Sequence, residues 1–136
     1  MDELIARAAE ARRRAHAPYS GFAVGAAIEA ADGRIVVGCN VENASFGLGV
    51  CAERAAVSAA VSQGITDWRR LAVVAESAEP VAPCGAWRQV LAEFCDDLEI
   101  ILADSSGVRM VTRLSELLPQ PFGADQLGGA DTRDPL

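Results

Sequence analysis

Two short stretches of nearly unbroken apolar sequence, residues 71–75 (LAVVA) and 98–103 (LEIILA), set the strongest limit on how this chain can fold. A strand that reads this way is buried on both faces, so it needs one layer of structure above it and another below. The sequence between them offers a helix over residues 84–95, with Val90, Leu91 and Phe94 on its inner side. Upstream, residues 2–16 repeat Leu4, Ile5, Ala8, Ala11 and Ala15 at helical spacing, with Arg7, Glu10 and Arg14 on the other faces. Pro18 ends that helix, and Tyr19-Ser20-Gly21 turns the chain. Residues 22–29 and 35–41 read as two strands joined at Asp32-Gly33. A polar loop covers residues 40–50, and a second helix carries Ala52, Ala55, Ala56, Ala59, Ala60 and Val61 until Gly64 stops it. Residues 79–83 form a proline-rich loop, and residues 108–112 a fifth strand after the turn at Ser105-Ser106-Gly107. This order predicts an α/β fold, a three-layer αβα sandwich with a mixed five-stranded sheet. A single domain is expected over residues 1–122, with residues 123–136 as an irregular C-terminal tail.

Charge and composition remove whole classes of function. Twelve basic residues, all arginine, face nineteen acidic ones, for a net charge of −7. A chain of that sign repels phosphate backbones, so no nucleic-acid partner is expected. No apolar run approaches the ~20 residues of a membrane span. The start Met1-Asp2-Glu3 lacks the basic and apolar segments of a signal peptide, which predicts a cytoplasmic protein without a membrane partner. In that compartment Cys39, Cys51, Cys84 and Cys95 point to metal, catalysis or core packing, not disulfides.

The residues that carry chemistry sit where two helices begin. Cys51-Ala52-Glu53 opens the second helix and Pro83-Cys84-Gly85-Ala86 opens the third. Free N–H groups at a helix start favour thiolate, and two thiolates on facing helix ends can hold a zinc ion. Glu53 lies close enough to such a metal to move protons without ligating it. Ordinary buried thiols would produce the same spacing, since free cysteines are commonly core residues. The flanking residues shift the balance toward the metal reading: Cys51-x-Glu53 and Pro83-Cys84 match the zinc-deaminase signature in four positions.

From about residue 4 to Phe122 the sequence resembles the small homotetrameric zinc-dependent cytidine deaminases. The likeness rests on Pro18-Tyr19-Ser20 with Phe22-x-Val24-Gly25-Ala26, on Gly38-Cys39-Asn40-Val41-Glu42-Asn43-Ala44-Ser45, and on Cys51-Ala52-Glu53-Arg54. It continues through Pro83-Cys84-Gly85, Arg88-Gln89-Val90-Leu91, and Leu117-Leu118-Pro119 before Phe122. The resemblance implies hydrolytic deamination of cytidine or deoxycytidine at C4, in pyrimidine salvage, with zinc activating the water and Glu53 shuttling protons. It assigns Cys51 and Cys84 to zinc, and Asn40 and Glu42 to the ribose hydroxyls. Phe22 would pack on the pyrimidine, and Ala52 would offer its backbone to the base. Arg54 would hydrogen-bond the zinc thiolates, and Phe122 would reach a neighbouring subunit's site. Plainer readings stand beside three of these: a turn-forming Asn40, a core Phe22 and a surface Arg54. Cys39 and Cys95 read as core thiols, and His16 as a surface residue at a helix end.

One position departs from the family pattern. Where relatives carry Pro-Cys-Gly-x-Cys, this chain has Pro83-Cys84-Gly85-Ala86-Trp87. Position 87 lies one turn after Cys84, so its side chain should point toward the metal. An indole N–H donates and has no lone pair to give zinc. The set is therefore one ligand short, and His16, Glu53 or extra water are the candidates to complete it. Two alternatives follow: a nucleoside-binding homologue without catalysis, its metal space filled by Trp87, and a deaminase of another amino-heterocyclic nucleoside.

Overall fold

In a computed structural model, which describes residues 2–77 and 85–127, the chain runs α1 (Asp2–Arg12), β1 (Val24–Ala30), β2 (Ile35–Cys39), α2 (Ala52–Ser62), β3 (Trp68–Ala75), α3 (Gly85–Phe94), β4 (Glu99–Asp104), β5 (Gly107–Arg113) and α4 (Leu114–Leu117). Short 3₁₀ turns occupy Phe46–Leu48 and Ala124–Leu127. The strands form one sheet in the order β2-β1-β3-β4-β5, antiparallel throughout except where β3 runs parallel to β4. A parallel pair needs a crossover, and α3 belongs to it. The expected mixed five-stranded sheet is therefore present. The proline-rich stretch 79–83 and the tail beyond residue 127 lie outside the described residues. Among the described residues no helix is long and apolar enough to cross a membrane.

The two apolar runs lie at the sheet's centre and are covered on both faces. Successive side chains of a strand alternate between faces, and β3 divides accordingly. Ala72 and Val74 join Leu4 and Ala8 of α1, with Ile101 and Ala103 of β4. Leu71, Val73 and Ala75 join Ala56, Val57 and Ala60 of α2 and Trp87 and Leu91 of α3. Three layers result.

Local differences from the sequence expectation have identifiable causes. The first helix ends at Arg12, not at residue 16, because Arg13, Arg14 and Ala15 donate to carbonyls three residues back and tighten the final turn. His16 then pairs through its backbone with Val41. β1 starts at Val24, since the backbone of Phe22 and Val24 is engaged by the Asn40 side chain. β3 begins three residues earlier than its apolar run, through Arg70, which forms an ion pair with Glu29 across the β1–β3 ladder. On α3, Trp87 and Leu91 are the fully buried residues, while Phe94 is 47% exposed and rests its ring on Trp68.

Glycine decides how closely the helices approach. A Cβ on Gly38 would lie 2.4 Å from the Ala56 nitrogen and 2.6 Å from the Ala52 oxygen. One on Gly25 would lie 1.9 Å from the Ala8 oxygen. The backbone of α2 therefore rests on β2, and that of α1 on β1, with no room for a methyl group. Gly38→Ala is expected to push α2 outward and cost about 1–3 kcal/mol or more of stability in urea denaturation. Gly47→Ala, where an added Cβ meets nothing within 4 Å, should change stability by less than about 0.5 kcal/mol.

Candidate active site

The docking of α2 on Gly38 fixes the depth at which the helix begins, and the candidate residues cluster at that start. Cys51 is the N-cap residue, half-buried, with extended backbone and a carbonyl that accepts from Ala55 N–H at 3.0 Å. Its side chain makes no capping hydrogen bond. Ala52 and Glu53 follow in the first turn, 1% and 6% exposed. Burial pushes the Glu53 carboxyl up to about 7, against a small opposing effect from its own backbone N–H.

A cleft of about 370 Å³ opens at this helix start. Phe22, Asn40, Glu42, Cys51, Ala52, Glu53 and Trp87 all line it, so residues from four separate parts of the sequence meet there. A second groove of about 400 Å³ adjoins it and shares Glu42, Phe46 and Gly49. Tyr19 and Phe46 make an edge-to-face pair in that groove, with ring centroids 6.0 Å apart. A larger groove of about 760 Å³, bounded by Cys95, Leu114, Leu118 and Phe122, shares no lining residue with the cleft.

Asn40 works as a clamp. Its Oδ1 accepts from Val24 N–H at 2.8 Å and its Nδ2 donates to the Phe22 carbonyl at 2.8 Å. The amide thus fixes the chain that presents Phe22, and keeps one N–H and one lone pair uncommitted by these bonds. Glu42 is likewise held in place. Its carboxylate accepts from the backbone N–H groups of Tyr19 and Ser20 and from the Ser20 hydroxyl. The Ser20 hydroxyl is the main reason its carboxyl stays below the ordinary range. Nothing in the sequence pattern assigned Ser20 this part, although it lies inside the Pro18-Tyr19-Ser20 string.

Other expected residues fall elsewhere. Arg54 donates from its guanidinium to the Gly49 carbonyl at 3.0 Å and thereby ties the turn at Phe46–Leu48 to α2. Phe122 is exposed and away from the cleft, its backbone bonded in both directions to the Gln89 side-chain amide. His16 is exposed and does not line the cleft. Burial, with Asp96 nearby, pushes the Cys95 thiol up to about 12, as befits an inert thiol, and Cys39 is half-buried. Cys84 lies outside the described residues.

The cleft's donors can be tested against a zinc ion. Among the described residues no three His, Cys, Asp or Glu side chains group closely enough to hold a metal. Position 87 is filled by a ring that is 1% exposed and has no lone pair to give. Its Nε1–H, moreover, finds no acceptor among the described residues. The described donor set does not fit a complete three-ligand zinc site.

Comparison with known proteins bears on these residues. The family model for the cytidine and deoxycytidylate deaminase zinc-binding region matches residues 1–103. A cytidine deaminase of Sporosarcina psychrophila is 45% identical over 131 residues, 96% of each chain. One from Halalkalibacterium halodurans is 47% identical over 91% of this chain and 95% of its own. The crystal structure of cytidine deaminase from Burkholderia pseudomallei superposes with a TM-score of 0.84 at 47% identity, covering 89% of this chain and 98% of that one.

The Asn40 clamp generates a direct test. Asn40→Ala leaves Val24 N–H and the Phe22 carbonyl without their partners, which should lower stability by about 1–3 kcal/mol in urea denaturation. A variant as stable as the parent would show that the clamp is dispensable.

Proposed function

The chain belongs to the cytidine and deoxycytidylate deaminase family, and on that premise we propose that it hydrolyses cytidine and deoxycytidine to uridine and deoxyuridine with Glu53 as the proton carrier. One observation supports this reading above the others. Glu53 is a carboxyl buried to 6% exposure on the wall of a cleft, with no ion pair among the described residues to account for its burial. Such a group is costly to the fold and suited to proton transfer.

The reaction balances around that carboxyl. Water adds at C4 of the base, and Glu53 takes its proton and delivers it to N3. A second proton reaches the amino nitrogen by the same carboxylate, the C4–N bond breaks, the C4 carbonyl forms, and ammonia leaves. Phe22 covers the ring, and the N-terminal backbone of α2 at Ala52 meets its edge. The uncommitted N–H of Asn40 and the Glu42 carboxylate take the ribose hydroxyls. Phe122, exposed and fixed through Gln89, belongs to a neighbouring copy's site in a homotetramer. The substrate is a free nucleoside and the setting cytoplasmic pyrimidine salvage. The relatives at 45% and 47% identity carry the name cytidine deaminase, which favours this reading over the noncatalytic and other-substrate alternatives.

Glu53→Gln preserves size but cannot accept and return protons. Turnover of cytidine should fall by about 10²–10⁴, while uridine affinity in calorimetry stays within a few-fold. A variant that kept most of its turnover would remove Glu53 from the mechanism.

The cofactor is proposed as zinc held short of its full ligand set, by Cys51 and Cys84 with Trp87 at the third place. Purified protein should therefore carry less than one zinc per chain by elemental analysis and lose it readily to a chelator. Trp87→Cys should raise the content toward one per chain. Full, chelator-resistant zinc in the parent would mean that another side chain completes the site.

A further inference from the structure

Ser20 does not line the cleft, yet its hydroxyl holds two residues that do. It borders the adjoining groove, while Glu42 lines both spaces and Phe22 lines the cleft. The Ser20 hydroxyl donates to Glu42 Oε2 and accepts from Phe22 N–H at 3.0 Å. That direction is forced, because an ionised carboxylate only accepts and an amide N–H only donates. The bond to Glu42 joins residues 22 positions apart, so it is not the local bond by which a serine closes its own turn. The two Glu42 oxygens are unequal as a result. Oε1 accepts from Tyr19 N–H at 3.0 Å and from Ser20 N–H at 3.1 Å, which takes up both of its lone pairs. Among the described residues Oε2 accepts from the Ser20 hydroxyl alone, and one lone pair remains on it. A ligand hydroxyl that binds Glu42 must therefore come to Oε2, the oxygen that Ser20 fixes.

We propose that Ser20 is a positioning residue for sugar recognition, its hydroxyl holding Glu42 Oε2 so that the remaining lone pair receives a ring hydroxyl of the ribose. The proposal rests on the nucleoside reading given above and deepens it, by naming what sets the geometry of the sugar subsite. Two backbone N–H groups at Oε1 leave the carboxylate free to swing about that oxygen. A third bond at the other oxygen stops the swing. The same bond is the main reason Glu42 stays below the ordinary carboxylate range, and so remains a pure acceptor at neutral pH. Such a partner rewards a sugar that brings a donor with a charge-assisted hydrogen bond, and offers nothing to one that lacks it. Removing the Ser20 hydroxyl touches Phe22 less than Glu42. The Phe22 carbonyl still receives Asn40 Nδ2, and its N–H, at an exposed position, turns to water. The base side of the cleft keeps its wall, and the loss falls on the sugar.

Uridine and 2′,3′-dideoxyuridine are the probes, because neither is turned over and they differ only in the ring hydroxyls. Calorimetry on the full chain reads their binding without recourse to activity. Ser20→Ala should weaken uridine by about 5–15-fold and 2′,3′-dideoxyuridine by less than about 2-fold. Ser20→Thr keeps the hydroxyl and should bind uridine within about 2-fold of the parent. In a Glu42→Ala background, Ser20→Ala should weaken uridine no further, since the group it positions is gone. Equal losses for the two ligands would show that Ser20 only supports the local fold, and would overturn the proposal. So would an unchanged uridine affinity in Ser20→Ala, or a full additional loss on top of Glu42→Ala. Each of these results leaves the deaminase reading intact. Absence of any uridine binding by the parent chain overturns the nucleoside reading and this proposal with it. Should Ser20→Ala fail to fold, Ser20→Cys, whose thiol donates only weakly, carries the same two-ligand comparison.

Discussion

The contact on which the site depends is the one between the backbone of α2 and the backbone that Gly38 leaves bare. Helices usually stand off a sheet by the length of their side chains. Here Ala52 and Ala56 meet a glycine, and the helix backbone comes down onto β2. That approach draws the first turn of α2 below the protein surface, and with it Cys51, Ala52 and Glu53. A carboxyl at the same sequence position on a helix one methyl group higher would gain solvent, and with it an ordinary acidity. Depth of docking thus becomes acid–base character.

How much of this could be read in the sequence divides along a physical line. The central strands were legible because continuous apolar runs have few alternatives, and the hairpin because Asp32-Gly33 is a strong turn signal. The clustering of Phe22, Asn40, Glu42 and Glu53 was legible only through family resemblance, since nothing local brings residues 22 and 53 together. The end of α1 and the start of β1 were not legible. Both are set by hydrogen bonds between residues far apart in the chain: Asn40 side chain to Phe22 and Val24, and His16 backbone to Asn40 and Glu42. The link from Arg54 to Gly49 escaped for the same reason. A helix arginine carries no mark of which carbonyl it will reach.

Position 87 shows the limit from the other side. Its spacing from Cys84 predicts a side chain turned toward the metal and its residue type offers no lone pair, and in the fold Trp87 lines the cleft. Neither said that the indole N–H would be left over. Tryptophan in a core normally contributes area and hides its one polar atom, as Trp68 does. That Trp87 contributes area while its buried Nε1–H finds no acceptor among the described residues is visible only once the neighbours are in place.

The loops around the cleft reach the same end by different means. Each is held by one side chain that bonds to backbone: Asn40 on residues 22 and 24, Glu42 on residues 19 and 20, Arg54 on Gly49. Loops fixed at single points cost little buried area, which suits a 136-residue chain whose apolar surface is needed for a two-faced sheet. They also tie binding to folding. The amide that would touch a ribose is the one that positions Phe22, and the carboxylate beside it is the one that shapes the Tyr19-Ser20 turn. A ligand arriving there meets groups whose orientation the fold has already fixed, so less of its binding free energy is lost to ordering them. The consequence is a trade: no residue of this rim can be changed for specificity without also changing the turn it holds.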